Sequence, residues 1–317
     1  VLRLTIESCE NLQGFMFFNS FGGGTGSGYT PYLQQRMESL YPKKTTLTFG
    51  IFPCLQRSTA NVEPYNTIFG LSAISDISEC TFLMDNDGLF NVCTNNLSNP
   101  YSTYRDINHI VAQAASSVSC SIRFPGSLNV DLVEFPTNLI PFSSLMFPVI
   151  SYAPLNSVKV EHHQNITVSE ITNSCMAPSN QLFRSSDLST VHMSCCLLYR
   201  GNVCHRDINQ AINDLKMKNR IKFCDWTPTG FKVGINSCKP VFDPIYKMAK
   251  SDKSLCMLSN STAVVDPLAK IVDAFQMMYK KQAFVHWYQQ EGMELCEFDC
   301  AVDRMYDIIT KYDKINE

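Results

Sequence analysis

The chain has 317 residues, of which 45% are hydrophobic, enough to build a large core and two or more domains. Its net charge of −3 excludes the basic excess that is typical of nucleic-acid-binding proteins. No apolar run approaches about 20 residues, so we expect no membrane-spanning helix.

The 14 cysteines are scattered along the chain. Only Cys195 and Cys196 are adjacent, and no pair has the C-x-x-C spacing of zinc or redox motifs. We therefore expect free, mostly buried thiols in a reducing compartment. The neighbouring His162 and His163 point to different sides of the backbone and predict no metal site.

The most informative stretch is GGGTGSG at residues 22–28, which follows the apolar run 15–18 and precedes a segment with helical spacing, 29–41. A strand, a glycine turn and a helix in this order form an anion site, because free N–H groups meet at the positive end of the helix. The stretch lacks the Lys of a P-loop and the G-x-G-x-x-G spacing of a dinucleotide fold. A glycine-rich surface turn is the alternative interpretation.

Residues 45–53 are β-rich and predict a strand that pairs in parallel with the strand at 11–21. Ligands of such sheets lie at the carboxyl ends of the strands, so the loop 54–64 should lie beside the glycine turn. Its Ser58, Thr59 and Glu63 are able to bond phosphate or ribose oxygens. An ordinary polar turn that caps a helix is the alternative.

A third strand at 80–86 ends at Asn86, whose amide offers both an acceptor and a donor to a base edge. Tyr104 and Asn108 lie four residues apart and share one side of the most regular helix pattern in the chain. From the residues alone, a turn-forming Asn and a capped, solvated helix explain the same pattern.

Asp131 and Glu134 are three residues apart and would share a helical face. Two carboxylates so close are able to polarise a water, although acids at a helix N-terminus have the same spacing. Pro136 cannot donate to the carbonyl of Leu132. We therefore predict a delayed or kinked helix that re-aims Glu134.

Beyond residue 142 the patterns predict a mixed domain and then two amphipathic helices within 262–313. The predicted strands of the mixed domain are 145–152, 193–199, 221–223, 231–235 and 254–257, and its predicted helix is 208–215.

The string FNSFGGGTGSG resembles the phosphate-loop signature of the tubulins, and the resemblance continues in order to about residue 298. The other segments that carry it are STANVEPYN (58–66), LNVDLVEFPTNLIPF (128–142), CCLLYRGNV (195–203), FCDWTPTGFKVGIN (223–236), CMLSNSTAV (256–264) and AFVHWYQQEGMELCEF (283–298).

The resemblance implies an α/β fold: a parallel-sheet GTP-binding domain, then a mixed α+β domain and C-terminal helices. About the first quarter of a tubulin has no counterpart, so we expect a domain truncated at its start. The implied boundaries are 1–123 for the partial nucleotide-binding domain with its connecting helix, 124–262 for the intermediate domain and 263–317 for the helical region.

The implied cofactor is GTP with Mg²⁺, whose usual acidic loop falls in the missing part. The loop residues contact sugar and phosphates, Asn86 and Asn108 pair with guanine, and Tyr104 stacks on it. Arg57 and Asn61 depart from the family, since alpha chains usually have apolar residues there. The residues that match nucleotide contacts are Ser20, Gly22, Gly23, Gly24, Thr25, Gly26, Thr59, Glu63, Asn86, Tyr104 and Asn108.

Glu134 resembles the alpha chain, because beta chains carry a Lys there. The resemblance implies that Glu134, supported by Asp131, activates the water that attacks GTP on an adjacent beta-tubulin, while the chain's own GTP is held without hydrolysis. The implied partners are beta-tubulin and microtubule-associated proteins or motors, in the cytoplasmic cytoskeleton.

Two alternatives belong to other classes. One is a truncated or degenerate tubulin that neither binds nucleotide nor polymerises. The other is an independent enzyme acting on a phosphate ligand, for which no nucleophile and base are apparent in the sequence.

Overall fold

The protein is described from a computed structural model. The structure describes residues 2–54, 57–58, 60–157, 166–184, 190–217, 221–227, 230–242, 245 and 248–315. Within these ranges, no helix has both the length and the apolar character needed to cross a bilayer.

The first part of the chain alternates strands and helices, as its sequence pattern predicts. The predicted strands at 11–21, 45–53 and 80–86 are confirmed as β1, β2 and β3, and the helix pattern of 29–41 as α2. The elements are α1 (Leu2–Glu7), β1 (Gly14–Ser20), a π-helical turn (Thr25–Tyr29), α2 (Thr30–Leu40), β2 (Thr45–Phe52), α3 (Glu63–Ile74), β3 (Cys80–Asp85), α4 (Asn86–Asn95), α5 (Tyr104–Val118) and α6 (Cys120–Arg123).

The second part contains the five predicted strands, the predicted helix α9 and the two predicted amphipathic helices α10 and α12, with a short α11 between them. The elements are α7 (Glu134–Leu139), β4 (Val149–Ala153), α8 (Val168–Cys175), β5 (Val191–Gly201), α9 (His205–Met217), β6 (Lys222–Phe223), β7 (Phe231–Asn236), β8 (Lys253–Ser261), α10 (Val265–Tyr279), α11 (Val285–Gln290) and α12 (Leu295–Asp313).

The described strands form one sheet in the order β1-β2-β3-β4-β8-β5-β6, with β7 also paired to β5. The pairs β1–β2 and β2–β3 are parallel, whereas β8 runs antiparallel to both β4 and β5. A single register pair, Leu83 with Val149, joins β3 to β4. The fold is therefore a parallel-sheet domain joined edge to edge with a mixed domain, followed by C-terminal helices.

Alternate residues of β3 enter different cores, as expected for the period of a strand. Leu83 belongs to a cluster with Tyr65 of α3, Phe275 of α10 and Phe298 of α12. Phe82 belongs to a second cluster beneath α4 and α5. The sheet is therefore covered by helices on both faces, which is the usual arrangement of parallel sheets.

The cysteines are mostly buried, as predicted: nine of the 14 free thiols have buried side chains. Burial raises the pKa of the Cys175 and Cys196 thiols to about 12. These thiols are therefore protonated at neutral pH and are poor nucleophiles.

The start of α7 confirms the predicted delay. The helix begins at Glu134, after a turn in which the Glu134 N–H donates to the Asp131 carbonyl at 3.0 Å. Pro136 is then the third helical residue, where its missing N–H needs no partner. The prediction that Asp131 and Glu134 share a helical face is wrong, because Asp131 precedes the helix.

Asn260 joins three elements in the core and is fully buried. Its amide donates to the carbonyls of Leu139 and Leu145 at 3.0 and 2.7 Å, and its oxygen accepts from the Tyr312 hydroxyl at 3.3 Å. This one side chain therefore links β8 to the segment that carries α7 and to α12.

We expect Asn260→Ala to lower the free energy of unfolding by roughly 2–4 kcal/mol. The buried Leu145 carbonyl loses its side-chain donor and the Tyr312 O–H loses its acceptor, while the Leu139 carbonyl keeps only its bond from Ser194. Urea unfolding followed by circular dichroism measures the change. The matched control is Asn138→Ala, which removes only a 2.7 Å bond to the Glu134 carbonyl on the exposed side of α7 and should change stability by less than about 0.5 kcal/mol. Equal losses in the two variants would contradict the role of Asn260.

Candidate functional site

The glycine turn connects the end of β1 to the helical residues that begin at Gly24. A Cβ atom added to Gly26 would lie 2.0 Å from the Ser20 carbonyl oxygen, so only glycine fits there. Gly23 and Gly24 have nothing within 4 Å of the space that a Cβ would fill. The turn therefore packs tightly against its own strand while its middle stays open to a ligand.

Two asparagines hold the turn in place. The Asn19 amide donates to the Gly26 carbonyl at 2.9 Å, and the Asn66 amide donates to the Gly22 carbonyl at 3.0 Å. The Asn66 oxygen in turn accepts from the Tyr288 hydroxyl at 2.8 Å. Sequence reasoning assigned no role to these residues, because nothing in the local pattern shows that Asn66 lies beneath a turn 44 residues away.

A cavity of about 200 Å³ lies between this turn, the loop after β2 and the starts of α4 and α5. It brings together six of the predicted nucleotide contacts: Ser20, Gly22, Gly23, Glu63, Asn86 and Tyr104. Ser58, which the sequence also offers as a phosphate or ribose contact, lines the cavity as well. The remaining lining residues are Pro53, Cys54, Arg57, Ala60 and Phe90.

Several helices begin at the cavity. Glu63, Asn86 and Tyr104 are the first residues of α3, α4 and α5, respectively. The first N–H groups of a helix lack intrahelical partners and carry a partial positive charge. A capping box between Thr103 and Asp106 fixes the start of α5. The arrangement therefore favours an anionic ligand in the cavity.

Other predicted contacts lie outside the cavity wall. Gly24, Thr25 and Gly26 belong to the turn but do not line the cavity, and Asn108 is exposed one helical turn beyond Tyr104. Thr59 lies outside the described residues.

Two carboxyl groups lie beside the turn and the strand ends. The Glu63 side chain lies so close to Gly22 that a Cβ there would be 3.3 Å from its Cδ. Asp85 is buried at the end of β3, where it accepts from the Asp87 N–H at 3.1 Å. Burial is the main cause that raises the Asp85 pKa from 3.8 to about 6.

Glu134 lies apart from this cavity. Its carboxylate forms an ion pair of 2.7 Å with the Lys232 ammonium on β7, and about a third of each side chain is exposed. Asp131 is exposed in the turn before α7. Neither residue of the predicted catalytic pair lines the cavity that holds the predicted nucleotide contacts.

The described residues contain no group of three or more His, Cys, Asp or Glu side chains arranged to hold a metal ion. The resemblance puts the acidic loop for Mg²⁺ in the part of the family that has no counterpart here, and we derive no chemical step through the ion.

Two family models, both of tubulin domains, match the chain. Residues 1–94 match the GTPase domain of the Tubulin/FtsZ family. Residues 144–276 match the tubulin C-terminal domain. The first match contains Ser20, Gly22, Gly23, Glu63, Asn86 and the other lining residues up to Phe90, while Tyr104 and Glu134 lie between the two matched ranges.

The raised pKa of Asp85 leads us to expect a specific pH dependence of the free energy of unfolding. Because its pKa is raised in the folded state, the folded protein keeps a proton that the unfolded chain has lost between about pH 4 and pH 6. Its contribution to stability is therefore lost as the pH rises through this window, and the total loss is roughly 3 kcal/mol.

Asp85→Asn should remove this loss while keeping a cap for α4. The measurement is urea unfolding of both proteins at several pH values from 4 to 7, and the difference between them cancels the other titrating groups. The free energy of unfolding of the variant should increase relative to that of the native protein as the pH rises from 4 to about 6. Above that pH the difference should stay constant. A difference that is independent of pH would show that the Asp85 pKa is not raised.

Proposed function

Because the chain belongs to the tubulin family, we propose that it is an alpha-tubulin-like, GTP-binding structural subunit that pairs with beta-tubulin in microtubules. The observation that carries the binding proposal is the cavity in which the glycine turn, Glu63, Asn86 and Tyr104 meet. These residues are far apart in the sequence, and each has a type that suits one part of a guanine nucleotide.

The proposed contacts follow from the chemistry of each group. The phosphates lie at the open glycine turn, where backbone N–H groups and helix starts offset their charge. The Glu63 carboxylate moves from its position against Gly22 to accept from ribose hydroxyls. Asn86 offers a donor and an acceptor to the guanine edge, and the Tyr104 ring stacks on the base. Asn108, Thr25 and Thr59 complete the set that the family resemblance implies.

The proposed chemistry acts on a neighbouring subunit. Glu134 does not line the nucleotide cavity, and its carboxylate is partly exposed beside Lys232. A carboxylate on the surface of one subunit is able to orient and polarise a water at the nucleotide of the next. In this proposal the chain contributes to GTP hydrolysis at the contact with beta-tubulin, with Asp131 in support and Mg²⁺ as the family's usual ion, within the cytoplasmic cytoskeleton.

One observation favours the alternative of a relative that does not bind nucleotide. The cavity has only about 200 Å³, whereas ligand pockets usually have about 300–1000 Å³. The bound nucleotide therefore decides between the two functions.

We expect the purified protein to release a guanine nucleotide, near one per chain, on denaturation and chromatography. The intact mass is measured in the same experiment, to compare the endogenous protein with the 35.8 kDa of this chain. Asn86→Ala should weaken GTP binding by about tenfold, through lost hydrogen bonds to the base. The matched control is Asn91→Ala on the same helix, outside the cavity wall. Absence of nucleotide from the native protein would favour the alternative.

Glu134→Gln should lower GTP turnover in polymers with beta-tubulin by roughly 10²-fold or more, because it removes the proposed base. Binding of nucleotide to the chain's own cavity should not change. Thr137→Ala is the control, since it alters an exposed side chain of the same helix. Unchanged turnover in Glu134→Gln polymers would remove the catalytic role and leave the binding role standing.

A further inference from the structure

Arg57 is a charged residue of the cavity wall that the proposed contacts leave unused. Its guanidinium carbon lies 4.2 Å from the centre of the Phe90 ring, and its Nε lies 3.9 Å from an oxygen of Asp87. About half of the side chain is exposed. The guanidinium is therefore held at the wall by an aromatic face and a carboxylate, with donors still open to the solvent.

Asp87 does not neutralise Arg57 alone. Its second carboxylate oxygen pairs with Arg184 at 2.5 Å, so two guanidinium groups share one carboxylate. Arg184 does not line the nucleotide cavity. The three groups together carry one net positive charge, and Arg57 is the member that lines the cavity.

The contacts of Arg57 indicate which part of a ligand it meets. The proposed nucleotide has its phosphates at the glycine turn and its base at Asn86 and Tyr104, and Arg57 lines the same cavity. Phe90, on which Arg57 lies, packs edge to face against Tyr104 with 5.8 Å between ring centres. Arg57 thus lies one aromatic ring away from Tyr104, and we infer that it faces the sugar, the part of the nucleotide next to the base.

We propose that Arg57 is a further nucleotide-binding residue, which donates hydrogen bonds to the ribose hydroxyl oxygens and selects ribonucleotides over deoxyribonucleotides. The inference rests on the proposed function, since it assumes a guanine nucleotide in this cavity. Each hydroxyl both donates and accepts. Glu63 accepts from the hydroxyls, whereas a guanidinium is only a donor, so the two side chains satisfy both capacities.

Preorganisation supports this role. An arginine loses rotamer freedom when it binds a ligand, but Phe90 and Asp87 already restrain Arg57 before the nucleotide arrives. Less entropy is then lost on binding. A lysine at this position would keep the charge but lose the planar contact with the ring.

The test compares the affinities of GTP, 2′-deoxy-GTP and 3′-deoxy-GTP for the native chain and two variants. Arg57→Met keeps an apolar stem on Phe90 and removes the donors. Arg184→Met is the matched control, because it removes the other partner of Asp87 outside the cavity. Thermal unfolding of all three proteins shows whether either substitution alters the fold.

We expect the native chain to bind GTP about tenfold more tightly than at least one deoxy analogue. Arg57→Met should reduce this preference to about twofold, because it weakens the binding of GTP more than the binding of the deoxy analogues, which each lack one of the hydroxyls. Arg184→Met should keep the native preference. Arg57→Lys should give an intermediate preference.

The outcomes separate this inference from the proposed function. A native chain that binds no guanine nucleotide overturns both. A native chain that binds GTP without preferring ribose, or an Arg57→Met variant that weakens all three nucleotides equally, overturns the role of Arg57 and leaves the proposed function standing. An Arg57→Met variant that keeps the native affinity for GTP and the native preference for ribose also overturns the role of Arg57.

Discussion

The candidate site depends on the parallel register of β1, β2 and β3. Ser20 at the end of β1 pairs with Ile51, and Phe52 at the end of β2 pairs with Asp85 at the end of β3. Because the carboxyl ends of the three strands lie side by side, the chain must turn three times at this end of the sheet. A helix begins after each turn. A shift of one residue would turn every side chain of a strand to the other face, so the buried faces fix where the turns lie.

This edge is also tied to the C-terminal helices. The Tyr288 hydroxyl reaches the Gly22 carbonyl through the Asn66 amide, and the Tyr65 hydroxyl donates to the Ala283 carbonyl at 3.0 Å. The rings of Tyr65, Tyr288 and Phe298 pack edge to face beneath these bonds. The glycine turn is thus supported by residues more than 200 positions away, and a change in the helical region is able to alter the shape of the turn.

Sequence reasoning found the elements whose patterns are local. The strand, glycine turn and helix of residues 14–40 follow from apolar runs and from the freedom of glycine, and the late start of α7 follows from Pro136. It missed α3, because eight of the 12 residues of that helix are buried and no single apolar stripe marks it. It also missed the support by Asn66 and Phe90, which only tertiary packing reveals. The prediction that Asp131 and Glu134 share a face was wrong, because a spacing of three residues places two side chains on one face only when both residues belong to the helix.

The charges around the cavity explain why a nucleotide would suit it better than a simple anion. Glu63 lines the cavity and Asp85 and Asp87 lie at the adjacent strand end, so a small anion would meet carboxylates as well as helix starts. The raised pKa of Asp85 lowers the negative charge at this edge below about pH 6, and Arg57 and Arg184 offset Asp87. The remaining carboxylate, Glu63, needs a ligand that donates hydrogen bonds. A phosphate ester of a sugar provides both an anion for the turn and hydroxyls for Glu63, whereas inorganic phosphate provides only the first.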